Sequence, residues 1–487
     1  MRKFLVGVCA LSLLSGCITV GPNFKAPVNS VTAYTAPGEA KPEGVAIGDT
    51  VVADWWTLFH SPTLDRLMRA ALANNLTLAQ ARARLAQARA EQGEQGGLLT
   101  SDLTAGVKRE RANLNAFSGG AFSAVSIAGV SFPTNPEYNL YSVGADVSYN
   151  LDLFGGERRL REKLAADTEA QAHELDAAYL TLTGEIVEQA LIIGDATIQK
   201  QDLEDIIQNE REDLDAIKRA QALGGATPAD VAQAEGQLSA DISQIPEQKQ
   251  RIAAAVHQMA ILIGRPPSDF AAPVFDASTA EFPFSLPAPI PSALVRNRPD
   301  ILVAEARLHA ATADVGVATA ALYPNITLSA NISQDALTSA TIFSPIARSW
   351  AIGGGLTQPL FHSGELKARQ KAAQAAREVA VLQYEQTVLE AFAQVADALT
   401  ALSNDTDAYV EQLHALDEAT KRLEMVRKAY RLGGATARQL LSADREWKRM
   451  KLGLQRDGTG RYADAARLLL ATATVPPGAA EHPAPAR

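Results

Sequence analysis

Between residues 61 and 95 apolar side chains recur at helical spacing, with Leu64, Leu67, Met68, Ala71 and Leu72 forming one stripe among Ala, Arg and Gln. That period predicts an amphipathic helix. A second helix is predicted from Arg298-Pro299-Asp300, with proline at the first helical position and an acid in the first turn, and it runs to Leu322 ahead of Pro324. Two far longer stretches follow these. Residues 157–222 contain no proline, and residues 365–431 contain neither proline nor glycine. At about 1.5 Å per residue each would be a helix of roughly 100 Å, which must pack lengthwise against others. Shorter return helices are predicted over 228–263 and 437–471.

Four other stretches alternate instead. Tyr141, Val143, Ala145, Val147, Tyr149 and Leu151 interleave with Ser142, Gly144, Asp146, Ser148 and Asn150. Ile326, Leu328, Ala330 and Ile332 interleave with Thr327, Ser329, Asn331 and Ser333. Trp350, Ile352, Gly354, Leu356 and Leu360 mark another strand, and Leu103, Ala105 and Val107 begin a less regular first one. Each strand so built has one apolar and one polar face. A soluble sheet alternates in the same way, so the period alone does not assign these strands to a membrane.

The helices and strands are arranged as a duplication. Leu223-Gly224-Gly225-Ala226-Thr227 recurs as Leu432-Gly433-Gly434-Ala435-Thr436, 209 positions later, each time where a long helix should end. Leu153-Phe154-Gly155-Gly156-Glu157 is matched by Leu360-Phe361-His362-Ser363-Gly364-Glu365, with an offset of 207. Two copies of one unit are expected, a plan that suits rings and tubes and directs attention to a channel or scaffold. The first hairpin is longer, since Leu85 to Leu153 spans 68 positions and Leu308 to Leu360 only 52. The surplus is rich in Ser, Gly and Ala around 117–137 and fits an external loop. Boundaries follow: a leader over 1–16, an extended segment over 17–61, a first repeat over 62–264, a Pro-rich linker over 265–298, a second repeat over 299–474, and a disordered tail over 475–487.

The leader changes the picture most. Arg2 and Lys3 precede an apolar run to Leu14, too short to span a bilayer. Leu14-Ser15-Gly16-Cys17 looks like a bacterial lipobox, which would leave Cys17 acylated at the new N-terminus. Of two cysteines, Cys9 departs with the leader, so no disulfide can form within the mature chain. Ile18 stands where an inner-membrane retention signal would carry Asp, which favours the outer membrane. The net charge of -10 argues against nucleic acid, and the seven histidines lack ligand spacing, so no metal is expected. No nucleophile elbow, P-loop or dinucleotide fingerprint is present, and the chain does not read as an enzyme. In an exported, lipidated chain the alternating strands match tilted membrane strands in length. Their edges must close in a bilayer, and four strands cannot close alone. Oligomers sharing one barrel are therefore expected, with Asp146, Ser148 and Asn150 facing its lumen.

Several motifs then occur in a telling order: Val20-Gly21-Pro22-Asn23-Phe24, Trp55-Trp56-Thr57-Leu58-Phe59, Leu151-Asp152-Leu153-Phe154-Gly155, Asn297-Arg298-Pro299-Asp300, Leu322-Tyr323-Pro324-Asn325-Ile326 and Gln358-Pro359-Leu360-Phe361. In order and spacing they resemble the outer-membrane efflux proteins, the TolC-like channels, and among these the OprM/NodT-like lipoprotein branch. The resemblance implies a mixed α/β membrane protein: a homotrimer with one shared twelve-stranded barrel, four strands per chain, continued by a periplasmic α-helical barrel. It implies a passive exit duct in a tripartite system, with a periplasmic adaptor and an inner-membrane pump of RND type as partners, and no cofactor beyond acyl chains on Cys17. The two Leu-Gly-Gly-Ala-Thr turns would be the adaptor-docking tips. The family's acidic gate carries over poorly, as its positions hold Asp230 in the first repeat and Gln439 and Ser442 in the second. Asp230 and Gln439 also fit a helix cap, three residues after Thr227 and Thr436. A lipid-anchored periplasmic scaffold is the rival reading, as are conduits of the same type for metal ions or secreted polypeptides.

Overall fold

The computed structural model describes residues 19–27, 33–34, 45–48, 51, 54–94, 99–111, 126–127, 130–131, 137–271, 273–275, 286–289 and 291–475. The leader, Cys17, most of 117–137 and the tail beyond 475 lie outside the described residues. The chain divides into two compact units, one made of Met1–Lys25, Arg89–Asp167 and Leu308–Ala380, the other of Ala26–Ala88, Thr168–Arg307 and Val381–Arg487.

The first unit is built on a four-stranded antiparallel sheet. Its strands are β1 (Leu99–Arg111), β2 (Glu137–Leu151), β3 (Asn325–Ala336) and β4 (Arg348–Thr357), paired in that order. The two central strands thus come from opposite halves of the chain, and β1 and β4 are its edges. The first strand begins at Leu99, earlier than its irregular pattern suggested. At the foot of β2 the Asp152 carboxylate accepts from the backbone N–H groups of Glu157 and Arg158 at 3.1 and 3.0 Å. It caps a helix that starts at once from Gly156.

Helices make up most of the second unit and continue into the first. In chain order they are α1 (Pro62–Asn74), α2 (Leu76–Glu94), α3 (Gly156–Ala222), α4 (Pro228–Ile242), α5 (Ile245–Leu262), α6 (Pro291–Asn297), α7 (Pro299–Ala320), α8 (Glu365–Arg431) and α9 (Ala437–Thr472). The two proline-free stretches are single helices of 67 residues each. Two helices expected to be continuous are instead divided. Asn75 breaks the first: its Oδ1 accepts from the N–H of Leu78 and its Nδ2 donates to the carbonyl of Leu262, both at 2.8 Å. A buried amide tied to both elements outweighs the propensity of its neighbours to stay helical. The return helix divides at Ser243 and Gln244, because Pro246 has no N–H and its ring crowds the preceding turn.

The segments read as extended or as linker carry structure too. Val45–Ile47 pairs in parallel with Leu286–Ala288, and Trp55–Phe59 forms a short 3-10 helix. Trp55 is fully buried and donates its indole N–H to Thr183 Oγ1 at 3.2 Å, while Trp56 packs against Tyr179 and Phe59 against Tyr462. Aromatic burial of this kind fixes a segment whose Pro and Gly content alone suggests a loop.

Candidate functional site

The two tips have the same construction. Leu223 follows the last residue of α3, Gly224 takes a φ of +77°, and the N–H of Gly225 donates to the Ala220 carbonyl at 2.7 Å while that of Gly224 donates to Gln221 at 3.0 Å. At the second tip Gly433 has a φ of +76°, with Gly434 donating to Ala429 at 2.8 Å and Gly433 to Tyr430 at 3.1 Å. Each is a Schellman end, in which one left-handed glycine turns the chain and the orphan carbonyls of the last turn are satisfied. The second glycine of each pair has no positive φ.

The return helices begin with reciprocal caps. Thr227 Oγ1 accepts from the Asp230 N–H at 3.2 Å, and Asp230 Oδ2 accepts from the Thr227 N–H at 2.9 Å. Thr436 Oγ1 accepts from the Gln439 N–H at 3.3 Å, and Gln439 Oε1 accepts from the Thr436 N–H at 2.8 Å. These backbone and hydroxyl donors from Thr227 hold the Asp230 carboxyl below its usual range, with the Arg438 guanidinium adding a smaller pull. Asp230 and Gln439 thus act as caps, and Ser442 lies exposed on α9. The two hairpins pack together behind the tips through Leu214, Ile217, Ala234, Ala437 and Leu441. Their outermost residues, Leu223 and Leu432, remain 88% and 78% exposed. Ala226 and Ala435 are half-buried beneath them.

The sheet sorts its residues by face. Asp146 stands opposite Asp102 on β1 and Asn331 on β3, and Ser148 stands between Thr100 and Ser329. Thr100 and Ser148 share a hydrogen bond of 2.7 Å, and Asn150 lies in register with Thr327 on the same face. The opposite face carries Leu99, Leu103, Val107, Val147, Tyr149, Leu328, Ile332, Trp350, Ile352 and Leu356, all exposed. Ten large apolar side chains on one open face far exceed the scattered exposure normal for a soluble surface.

Beside the foot of the sheet, the segment that follows Cys17 is clamped. Buried Arg159 donates to the carbonyl of Val20 at 3.2 Å and to Asn23 Oδ1 at 2.7 Å, and it pairs with Glu162. The N–H of Val20 donates to the Phe154 carbonyl at 3.1 Å, and Phe24 stacks on His309. A side chain at Gly21 would run into Gly316, which explains the glycine in this motif.

Residues 67–265 and 290–474 match the model of the outer membrane efflux protein family. The chain belongs to that family. This outer membrane efflux protein is 30% identical over 447 residues to the pyoverdine export outer membrane protein OpmQ of Pseudomonas aeruginosa, covering 89% of this chain and 90% of OpmQ. It is 31% identical over 460 residues to outer membrane protein OprJ of the same organism, covering 91% of each. Its structure is similar to that of the outer-membrane channel OprN, with a TM-score of 0.83 at 26% identity, covering 93% of this chain and 98% of that one. The protein is an outer-membrane component of efflux, in a family of transport proteins. No described helix is long and apolar enough to cross a membrane.

Sequence reasoning missed two groups of residues. Arg159 sits in a run of charges at a helix start, which in sequence reads as a solvated face. The other is a cluster of buried charges from α3, α4, α8 and α9 behind the tips. Its members sit at ordinary helical spacing, which reads as a solvated face, and only the packing of four helices brings them together.

Proposed function

We propose that the protein is the trimeric exit duct of a tripartite efflux system, passing drugs or other small solutes out through the outer membrane. The observation that carries this reading is the sheet: one continuous apolar face, one polar face, and outer strands β1 and β4 that pair with no further strand among the described residues. Because β1 and β4 run antiparallel in a four-strand order, β4 of one chain can pair with β1 of the next in the same sense. Three chains give a closed ring of twelve strands with Asp146, Ser148 and Asn150 toward water. The duplicated helices continue this ring as a periplasmic helical barrel.

The sequence carries no nucleotide-binding motif, so the duct is passive and an inner-membrane pump, of RND type in this reading, drives export. A periplasmic adaptor docks on the paired tips, where Leu223 and Leu432 are most exposed. Asp230, Gln439 and Ser442 border the closed end. Cys17 carries the acyl chains, and the Arg159 clamp holds the residues after it at the foot of the sheet.

Gly225 and Gly434 allow a clean test. Neither has a positive φ, and a Cβ there would meet only Ala220 O at 3.5 Å or Ala429 O at 3.6 Å as its nearest neighbour. Gly225→Trp and Gly434→Trp should therefore fold and insert normally yet abolish solute export. Export at wild-type rates with both substitutions in place would remove the docking role of the tips.

A further inference from the structure

Behind the tips the two hairpins enclose a cluster with four carboxylates and two cations. Lys448 on α9 contacts Glu210 on α3, lies 2.6 Å from Asp444 on its own helix, and 3.7 Å from Asp241 on α4. Arg427 on α8 pairs with Asp444 at 3.1 Å and faces Asp213 on α3 at 3.9 Å. Glu210, Asp241, Asp444 and Lys448 are all at most 7% exposed. Tyr430 on α8 also faces Asp213. With every group ionised, two negative charges would remain uncompensated in a dry seam, an arrangement that burial opposes.

Two carboxylates of the cluster have an oxygen that receives no donor: Asp213 Oδ2, on a half-buried side chain that still faces Arg427 at 3.9 Å, and Glu210 Oε2, on the more deeply buried one. Asp241 accepts from Gln237 at 3.3 Å and from Gln244 at 3.0 Å, besides facing Lys448. Asp444 is served by Arg427 and Lys448. Glu210 meets Lys448 through Oε1, while its buried Oε2 receives no donor. A proton of its own satisfies that oxygen, with Asp241 as the neighbouring acceptor. We propose that Glu210 is a proton-operated latch: protonated, it keeps the seam between the hairpins dry and closed, and its deprotonation admits water and loosens the periplasmic tips.

Burial, opposed by Lys448 and reinforced by Asp241, pushes Glu210 from the usual value of 4.5 up to about 7. Burial likewise raises Asp213, against the pull of Arg427 and with a further push from Asp444. A carboxyl raised in this way binds its proton more tightly in the closed seam than in water. The closed state is therefore favoured at low pH, and it loses that advantage as pH climbs from about 4.5 to about 7. Periplasmic conditions fall near the top of this window, where small changes in the cluster decide the state.

The latch rests on the reading of the tips as a gate, so the test separates the two. Nitroxide labels at Leu223→Cys and Leu432→Cys in the full-length purified protein report the spacing of the tips without any conduction. Measured at about pH 5.5 and about pH 8, that spacing should widen in the wild type. It should stay at its acid value in Glu210→Gln, which mimics the protonated side chain, and follow the wild type in Glu212→Gln, its exposed neighbour. In planar bilayers the wild-type conductance should rise several-fold over the same range and Glu210→Gln should remain low. A wild-type spacing that ignores pH, or a Glu210→Gln protein that tracks it, overturns the latch. Spacing that responds as expected in a protein forming no channels would uphold the latch and overturn the duct.

Discussion

Tandem glycines at each tip have separate tasks, and only one is conformational. Gly224 and Gly433 occupy left-handed backbone, so Gly224→Ala or Gly433→Ala should cost about 1–2 kcal/mol locally, seen as faster hydrogen exchange of the amides in the last turn of α3 or α8. Unchanged exchange in both would show that the turns do not depend on left-handed glycine. The caps differ in chemistry in a way that pH exposes. Asp230 is held below the usual 3.8, so its share of cap stability is present above that value and is lost as pH falls through the depressed one. Gln439 has nothing to titrate. Acid should thus fray α4 at its start before α9, and simultaneous fraying would contradict this. The turns and caps were legible because they depend on residues adjacent in sequence. Glu210 was not, since its environment comes from Asp241, Asp444 and Lys448, the last of them 238 positions away.

Strands and helices were legible to different degrees for a related reason. A strict period of two marked β2 and β3, and a long run without proline marked α3 and α8, because both signals are local. The division at Asn75 was hidden, since it depends on a bond to the Leu262 carbonyl 187 positions on. At Pro246 the cause was visible in the sequence and was outweighed by the apolar period around it. The faces of β2 give a test at this scale. Val147→Arg on the apolar face should impair assembly by about 2–4 kcal/mol if it lies near the bilayer midplane. Asp146→Asn on the polar face should leave assembly intact and reduce the preference of the pore for cations. Heat-stable oligomers on gels and reversal potentials in a salt gradient report the two effects, and equal damage from both would mean the faces are exchanged.

At the scale of the molecule, two devices hold the proposed duct at the membrane, and they differ greatly in strength. A ring of strands buries a continuous apolar surface and satisfies every edge, so its removal from the bilayer would expose both. Acyl chains on Cys17, as proposed above, would add a second attachment that is stable where two or more chains are present. Arg159, Phe154 and His309 hold residues 20–24 at the foot of the sheet, just after the proposed anchor. In the proposed duct, anchoring would serve sorting and the first docking of the chain, and barrel closure would provide permanence. On this argument Cys17→Ser should slow delivery to the outer membrane yet leave a trimer that resists dissociation there. Arg159→Ala should reproduce part of the delay by freeing the strap while the lipid remains. Cell fractionation with native mass determination distinguishes these outcomes. A Cys17→Ser protein found as soluble periplasmic monomer would show that the strands do not close a barrel by themselves, and that the lipid holds the chain in place.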